Sequence, residues 1–168
     1  MVQQRVHDRL QPALLDRLTD DDPNNPQEAP EQRVISKPRL REAVLRDLSW
    51  LFNTTQLATD GSLDDYPQAR RSVLNFGLPA LSGQTASSID PQGLEAKVRR
   101  AIVEHEPRIL PETLVVEALV SEMQLDHHNK ISFRISGQVW AQPVPLEMLL
   151  QTDIDLETGL VEIKDLTR

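Results

Sequence analysis

Glu104-His105-Glu106-Pro107-Arg108-Ile109-Leu110-Pro111 is the stretch on which the fold turns. Apolar residues before it recur at helical spacing, and those after Pro111 alternate as in strands. A residue that precedes proline is pushed out of the helical region, so a helix should end near His105. Pro107 holds its own φ at about −65°. Glu106 and Arg108 are then expected on extended backbone, two residues apart, with side chains on roughly the same side. An acid and a base are thereby presented together at the junction. Two readings stay open: an internal staple that fixes the angle between helix and sheet, or a grip on another chain.

On the N-terminal side of the junction, Asp90 is placed to cap a helix, with Pro91 in its first turn and Glu95 shortly after. Leu94, Val98, Ala101 and Ile102 would face inward. On the C-terminal side, Val116, Ala118 and Val120 alternate with Val115, Glu117 and Leu119, and Asp126-His127-His128-Asn129 reads as a turn. Ile131, Phe133, Ile135, Gly137 and Val139 form the apolar side of a half-buried strand. Pro143 and Pro145 interrupt the pattern. Leu146 to Leu156 reads as another strand, and Glu157-Thr158-Gly159 turns into Leu160-Val161-Glu162-Ile163. Helices followed by a small antiparallel sheet of three to four strands make an α+β domain.

Further upstream, Ser36 can cap and Pro38 suits a first turn, with Leu40, Val44, Leu48 and Leu51 on one apolar face and an end near Asn53-Thr54. A short helix is expected from Gln68 to Leu74, closed by Gly77 and Pro79. Val6, Leu10, Leu14 and Leu18 recur every four residues and predict a first helix from about Gln3 to Leu18, with Pro12 disturbing it. The stretch from Thr19 to Gln32 has three prolines and a negative balance, the composition of a linker. The expected organisation is an N-terminal arm over residues 1–18, an acidic Pro-rich linker over 19–36, and an α+β domain over 37–168.

The chain has 168 residues and a formal net charge of −8, divided as −2 before residue 85 and −6 after it. That length fits one core with a tail. An acidic surface without a basic stripe is a poor match to phosphate backbones, so no nucleic acid is expected as partner. Fourteen of the 18 basic residues are arginine, the better partner for oriented carboxylates. There is no cysteine, which excludes disulfides and thiolate-bound zinc. No apolar run reaches bilayer length and Met1 to Asp8 lacks a signal-peptide core, so the expectation is a cytoplasmic protein without membrane insertion.

Catalytic signatures are sparse. No GxxxxGK[ST], GxGxxG, HExxH or GxSxG occurs. Asp126, His127 and His128 read as a polar turn and not as a metal site. His7 and His105 read as ordinary helix residues, and Trp50 as core. Trp140 is left open between core cover and interface anchor. A carboxylate pair built from Glu106 with Asp90, Glu104 or Asp153 would suggest glycoside hydrolysis. That needs an acid with a raised pKa, and Arg108 beside Glu106 works in the opposite direction. No cofactor, metal or small-molecule substrate is expected.

Five segments stand out in order: Val6-His7-Asp8-Arg9-Leu10, Leu40 to Thr54, Ser72 to Pro79, Glu106-Pro107-Arg108 and Leu156-Glu157-Thr158-Gly159. Together they resemble the TssE family of type VI secretion baseplate subunits, which belong to the phage T4-type baseplate wedge proteins once labelled lysozyme-like. The resemblance implies a structural role in the wedge at the cytoplasmic face of the inner membrane. It implies contacts with TssF and TssG, through them TssK, and with the sheath proteins TssB and TssC, whose assembly such proteins help to nucleate. It implies that Glu106, Pro107 and Arg108 carry the wedge contact, that no lysozyme activity is present, and that the fold is a small α+β domain. Two other classes are set against this one. A cell-wall muramidase would clear a peptidoglycan suspension, and a regulatory adaptor of the same fold would capture one small partner instead of several baseplate proteins.

Overall fold

The structure is a computed structural model that describes residues 13–19, 35–58, 61–81, 83, 90–119 and 130–167. Its elements are α1 (Leu14–Leu18), α2 (Lys37–Phe52), α3 (Pro67–Arg70), a 3-10 turn (Val73–Asn75), α4 (Pro91–His105), β1 (Val115–Leu119), β2 (Lys130–Val139), β3 (Leu146–Asp155) and β4 (Val161–Asp165). The fold is α+β, with one antiparallel sheet in the order β1-β2-β3-β4.

The two long helices begin and end where their sequences direct. Ser36 Oγ accepts from Arg39 N and Pro38 fills the first turn of α2; Asp90 accepts from Gly93 N and Pro91 opens α4. Leu40, Val44, Leu48 and Leu51 of α2 and Leu94, Val98, Ala101 and Ile102 of α4 are all buried. They pack with Phe133, Ile135, Leu150 and Ile154 from the central strands, so the core lies between the helices and the sheet. The register pairs Phe133 with Thr152 and Ile135 with Leu150, which puts the apolar members of both strands on the helix side.

The single helix expected from Gln68 to Leu74 is two pieces. Ser72 takes extended dihedrals, and its Oγ accepts from Leu74 N, so the side chain replaces a helical turn and starts the 3-10 segment. Only the end of the expected first helix, α1, lies within the described residues. Its earlier turns, the linker from 20 to 34 and the His127-His128 turn lie outside them.

The two borders of the sheet are treated differently. On β1, α4 closes over the backbone: Glu95 Oε1 accepts from Ala118 N at 2.7 Å, and Arg99 donates to the carbonyls of Leu114 and Pro111. On β4, Asn53 at the end of α2 binds both backbone groups of Val161, accepting its N–H and donating to its carbonyl, each at 3.0 Å. The hairpin register turns the N–H and C=O groups of Ile163 and Asp165 outward as well. No described side chain bonds them, so β4 offers a short open edge.

Asp153 ties β2, β3 and β4 together. Its carboxylate accepts from Ser132 Oγ at 2.7 Å, Gln151 Nε2 at 3.3 Å and Lys164 Nζ at 2.9 Å. Burial pushes its pKa up, but the bonds from Lys164, Ser132 and Gln151 outweigh burial and hold it below the ordinary value. A carboxylate depressed on folding stabilises the protein above its unfolded pKa of about 4, and that contribution is lost as pH falls through the folded value. Asp153→Asn should therefore lose less stability than the parent between about pH 5 and pH 3, measured by urea midpoints. Identical acid sensitivity of the two chains would exclude this role.

Candidate functional site

The Glu-Pro-Arg segment is where α4 hands over to the sheet. Pro107 cannot continue the helix, and Glu106 closes it as C-cap, its N–H donating to Ile102 O at 2.8 Å. The chain then bends: Ile109 N donates back to the Glu106 carbonyl at 3.2 Å. This corrects the extended backbone expected here. The two side chains meet as expected, but across a turn.

The turn is pinned to the end of β2. Trp140 N donates to Arg108 O at 2.7 Å and Leu110 N to Gln138 O at 2.9 Å, closing an isolated antiparallel bridge between Ile109 and Val139. Arg108 therefore projects from backbone that is fixed on both sides.

Its guanidinium lies between two carboxylates. Glu106 Oε1 accepts from Arg108 Nε at 2.7 Å and from its backbone N–H at 3.1 Å, and Glu106 Oε2 accepts from Nη2. The same Nη2 donates to Asp47 Oδ2, on α2. The Glu106 side chain is 4% exposed and that of Arg108 is 21% exposed. A carboxylate so deep is tolerated because three N–H groups are aimed at it. Burial draws the Arg108 pKa down, yet bonding and charge from Glu106 and Asp47 outweigh it and raise it further, so the site keeps its cation at any ordinary pH. Nη1 takes no partner among the described residues.

The chain of charges continues. Asp47 Oδ1 accepts from Arg46 Nε at 2.9 Å, and Arg46 Nη1 donates to Asp16 of α1 at 2.7 Å. Arg46 also lies 5.1 Å from the ring centre of Trp50. Trp50 is half exposed and not core, which corrects the expectation for it; α2 turns it to the side that Arg46 occupies. Trp140 is 47% exposed. Phe76 meets His105 edge to face at 5.2 Å. Trp50, Phe76 and His105 border a groove of about 540 Å³, with Ile35, Leu40 and Pro107 as further apolar walls and Asp47, Glu106 and Arg108 as polar ones.

Asp47, Arg46 and Asp16 were not singled out from the sequence as parts of this site. Asp47 and Arg108 are 61 positions apart, and nothing in either local pattern announces the pairing. Among the described residues no group of three His, Asp or Glu side chains is placed to hold a metal ion. Both Glu106 oxygens are engaged by Arg108, an arrangement that suits ion pairing.

Over residues 38–144, from the start of α2 to just beyond β2, the chain matches the family of baseplate wedge protein gp25. The chain belongs to the gp25 family. This is also the family of TssE from type VI secretion systems. The matched part of the gp25-family chain includes the whole Glu-Pro-Arg turn and Asp47, but not α1, β3 or β4. No curated protein and no solved structure matches the chain. Membership in a baseplate wedge family points to a structural role among other baseplate proteins. Among the described residues, no helix is long and apolar enough to cross a membrane.

Proposed function

We propose that this chain is a structural subunit of a type VI secretion baseplate wedge. It binds TssF and TssG, and through them TssK, by way of Glu106, Pro107 and Arg108, at the cytoplasmic face of the inner membrane, and it catalyses no reaction. The observation that carries this reading is the state of Arg108. Its backbone is pinned, its Nε and Nη2 are held, and Nη1, which takes no partner among the described residues, remains as a donor for a neighbouring chain. A donor that is already immobile loses little freedom on binding, which lowers the ordering cost of the interface. The adjoining groove supplies the apolar surface that such an interface needs at its centre. Glu106 and Pro107 act by holding this geometry.

The open groups of Ile163 and Asp165 on β4 support the second part of the role. An incoming strand from a TssB or TssC sheath protein would find main-chain partners there, a start for sheath assembly.

Arg108→Lys separates binding from folding. The lysine keeps a cation beside Glu106 and Asp47 but lacks the planar fork and the Nη1 donor. The variant should keep the circular dichroism spectrum of the parent and lose about tenfold or more in affinity for an immobilised TssF–TssG complex. Unchanged affinity would remove this turn from the wedge contact.

A further inference from the structure

Among the described residues, α1 meets the groove through one polar tie, from Asp16 to Arg46. None of its residues is buried, and Leu14 and Leu18, which share one helical face, are 71% and 74% exposed. Asp16 is the exception. Its side chain is 16% exposed, Oδ1 accepts from Arg46 Nη1 at 2.7 Å, and Oδ2 is buried without a partner among the described residues. Ala13 and Asp16 line the same groove as Pro107 and Arg108. Arg46 is linked in turn to Asp47, the residue that grips Arg108 Nη2. The arm thus sits beside the docking cation without filling the apolar lining with its own leucines. Eighteen positions, 19–36, separate α1 from α2 in the sequence.

We propose that α1 is a self-docked strap, and that its Asp16 holds on Arg46 the place of a carboxylate from an incoming partner helix. The proposal rests on the reading that this groove is the wedge contact. Asp16 uses one of its two oxygens, so a carboxylate that grips Arg46 with both makes a better partner for the same cation. An amphipathic helix would also cover Trp50, Phe76 and Pro107, which α1 leaves unfilled. Exchange of the strap for the partner couples assembly to release of Leu14 and Leu18.

Two full-length variants test this against immobilised TssF–TssG. Asp16→Arg sets a cation against Arg46 and frees the strap; affinity should rise by about fivefold, the scale of one partly exposed ion pair. Because the chain has no cysteine of its own, Asp16→Cys with Arg46→Cys can be joined by a short bismaleimide. The unjoined pair lacks the Arg46 cation and sets its own baseline, and joining the two cysteines should abolish the binding that remains. If Asp16→Arg binds no tighter, or the joined chain binds as well as the unjoined one, the strap is overturned. Arg108→Lys in the same assay reports separately on the docking reading: weakened binding there beside a neutral Asp16→Arg rejects the strap alone.

Discussion

Arg108→Ala should lower the stability of the isolated chain by about 3–5 kcal/mol, the range for removing one partner of a buried ion pair. The reason lies with Glu106. Its carboxylate is 4% exposed and takes two side-chain bonds from the guanidinium. Truncation leaves only the Arg108 backbone N–H at 3.1 Å to compensate a buried charge. A domain of this size has about 5–15 kcal/mol to lose, so the melting point should fall by roughly 10–15 °C. The pair, in contrast, should be replaceable as a unit. Glu106→Gln in the Arg108→Ala background removes the stranded charge and should recover a good part of the loss, giving a coupling energy of several tenths to a few kcal/mol in a double-mutant cycle. A single variant that melts with the parent would show that the clasp is not structural. Because this variant mixes unfolding with lost contact, the lysine substitution is the cleaner probe of binding.

Gly77→Ala should cost about 3–5 kcal/mol through backbone effects alone. Gly77 has φ +123°, a region that residues with a Cβ rarely adopt. An added Cβ would stand 2.3 Å from the Thr54 carbonyl oxygen and 2.9 Å from Gln56 N. Neither is the flexible end of a side chain, so the backbone itself must move. The movement breaks the short parallel bridge between Thr55 and Leu78, in which Gln56 N donates to Leu78 O and Leu78 N to Thr54 O, both at 2.8 Å. Losing those bonds adds about 1 kcal/mol each to the dihedral strain of 1–3 kcal/mol. Leu78 is 3% exposed in the core, so the loop that carries Phe76 into the groove should loosen with it. Urea unfolding and amide exchange of Gln56 and Leu78 would check both consequences, and parental exchange rates would contradict them.

Much of this architecture was legible in the residues. Caps at Ser36 and Asp90, prolines behind them and a four-residue apolar spacing set α2 and α4, because such signals act within one turn of helix. Alternation placed β2 and β3, because the two central strands bury one face each. The same reasoning failed between Gln68 and Leu74, where one serine hydroxyl replaces a backbone bond and divides the helix. It failed for Trp50 because an arginine one turn earlier on the helix offers the ring a cation at the surface. The junction was found from Pro107 and its two charged neighbours. The rest of the charge chain was not, since Asp16, Asp47 and Arg108 come together only when three separate elements pack. Position in space, and not composition, makes them one network.

The unequal borders of the sheet limit how copies of this protein can associate. One flank is occupied by α4 through Glu95 and Arg99, and the other ends in the bare amides of Ile163 and Asp165. Head-to-tail stacking into a ribbon needs two receptive flanks on every molecule, and here the first would have to be stripped before it could receive anything. Copies meeting through their sheets can at most close into a symmetric pair, which ends growth in the act of starting it. Association through the sheets would thus stop at two copies and build no filament of this chain alone.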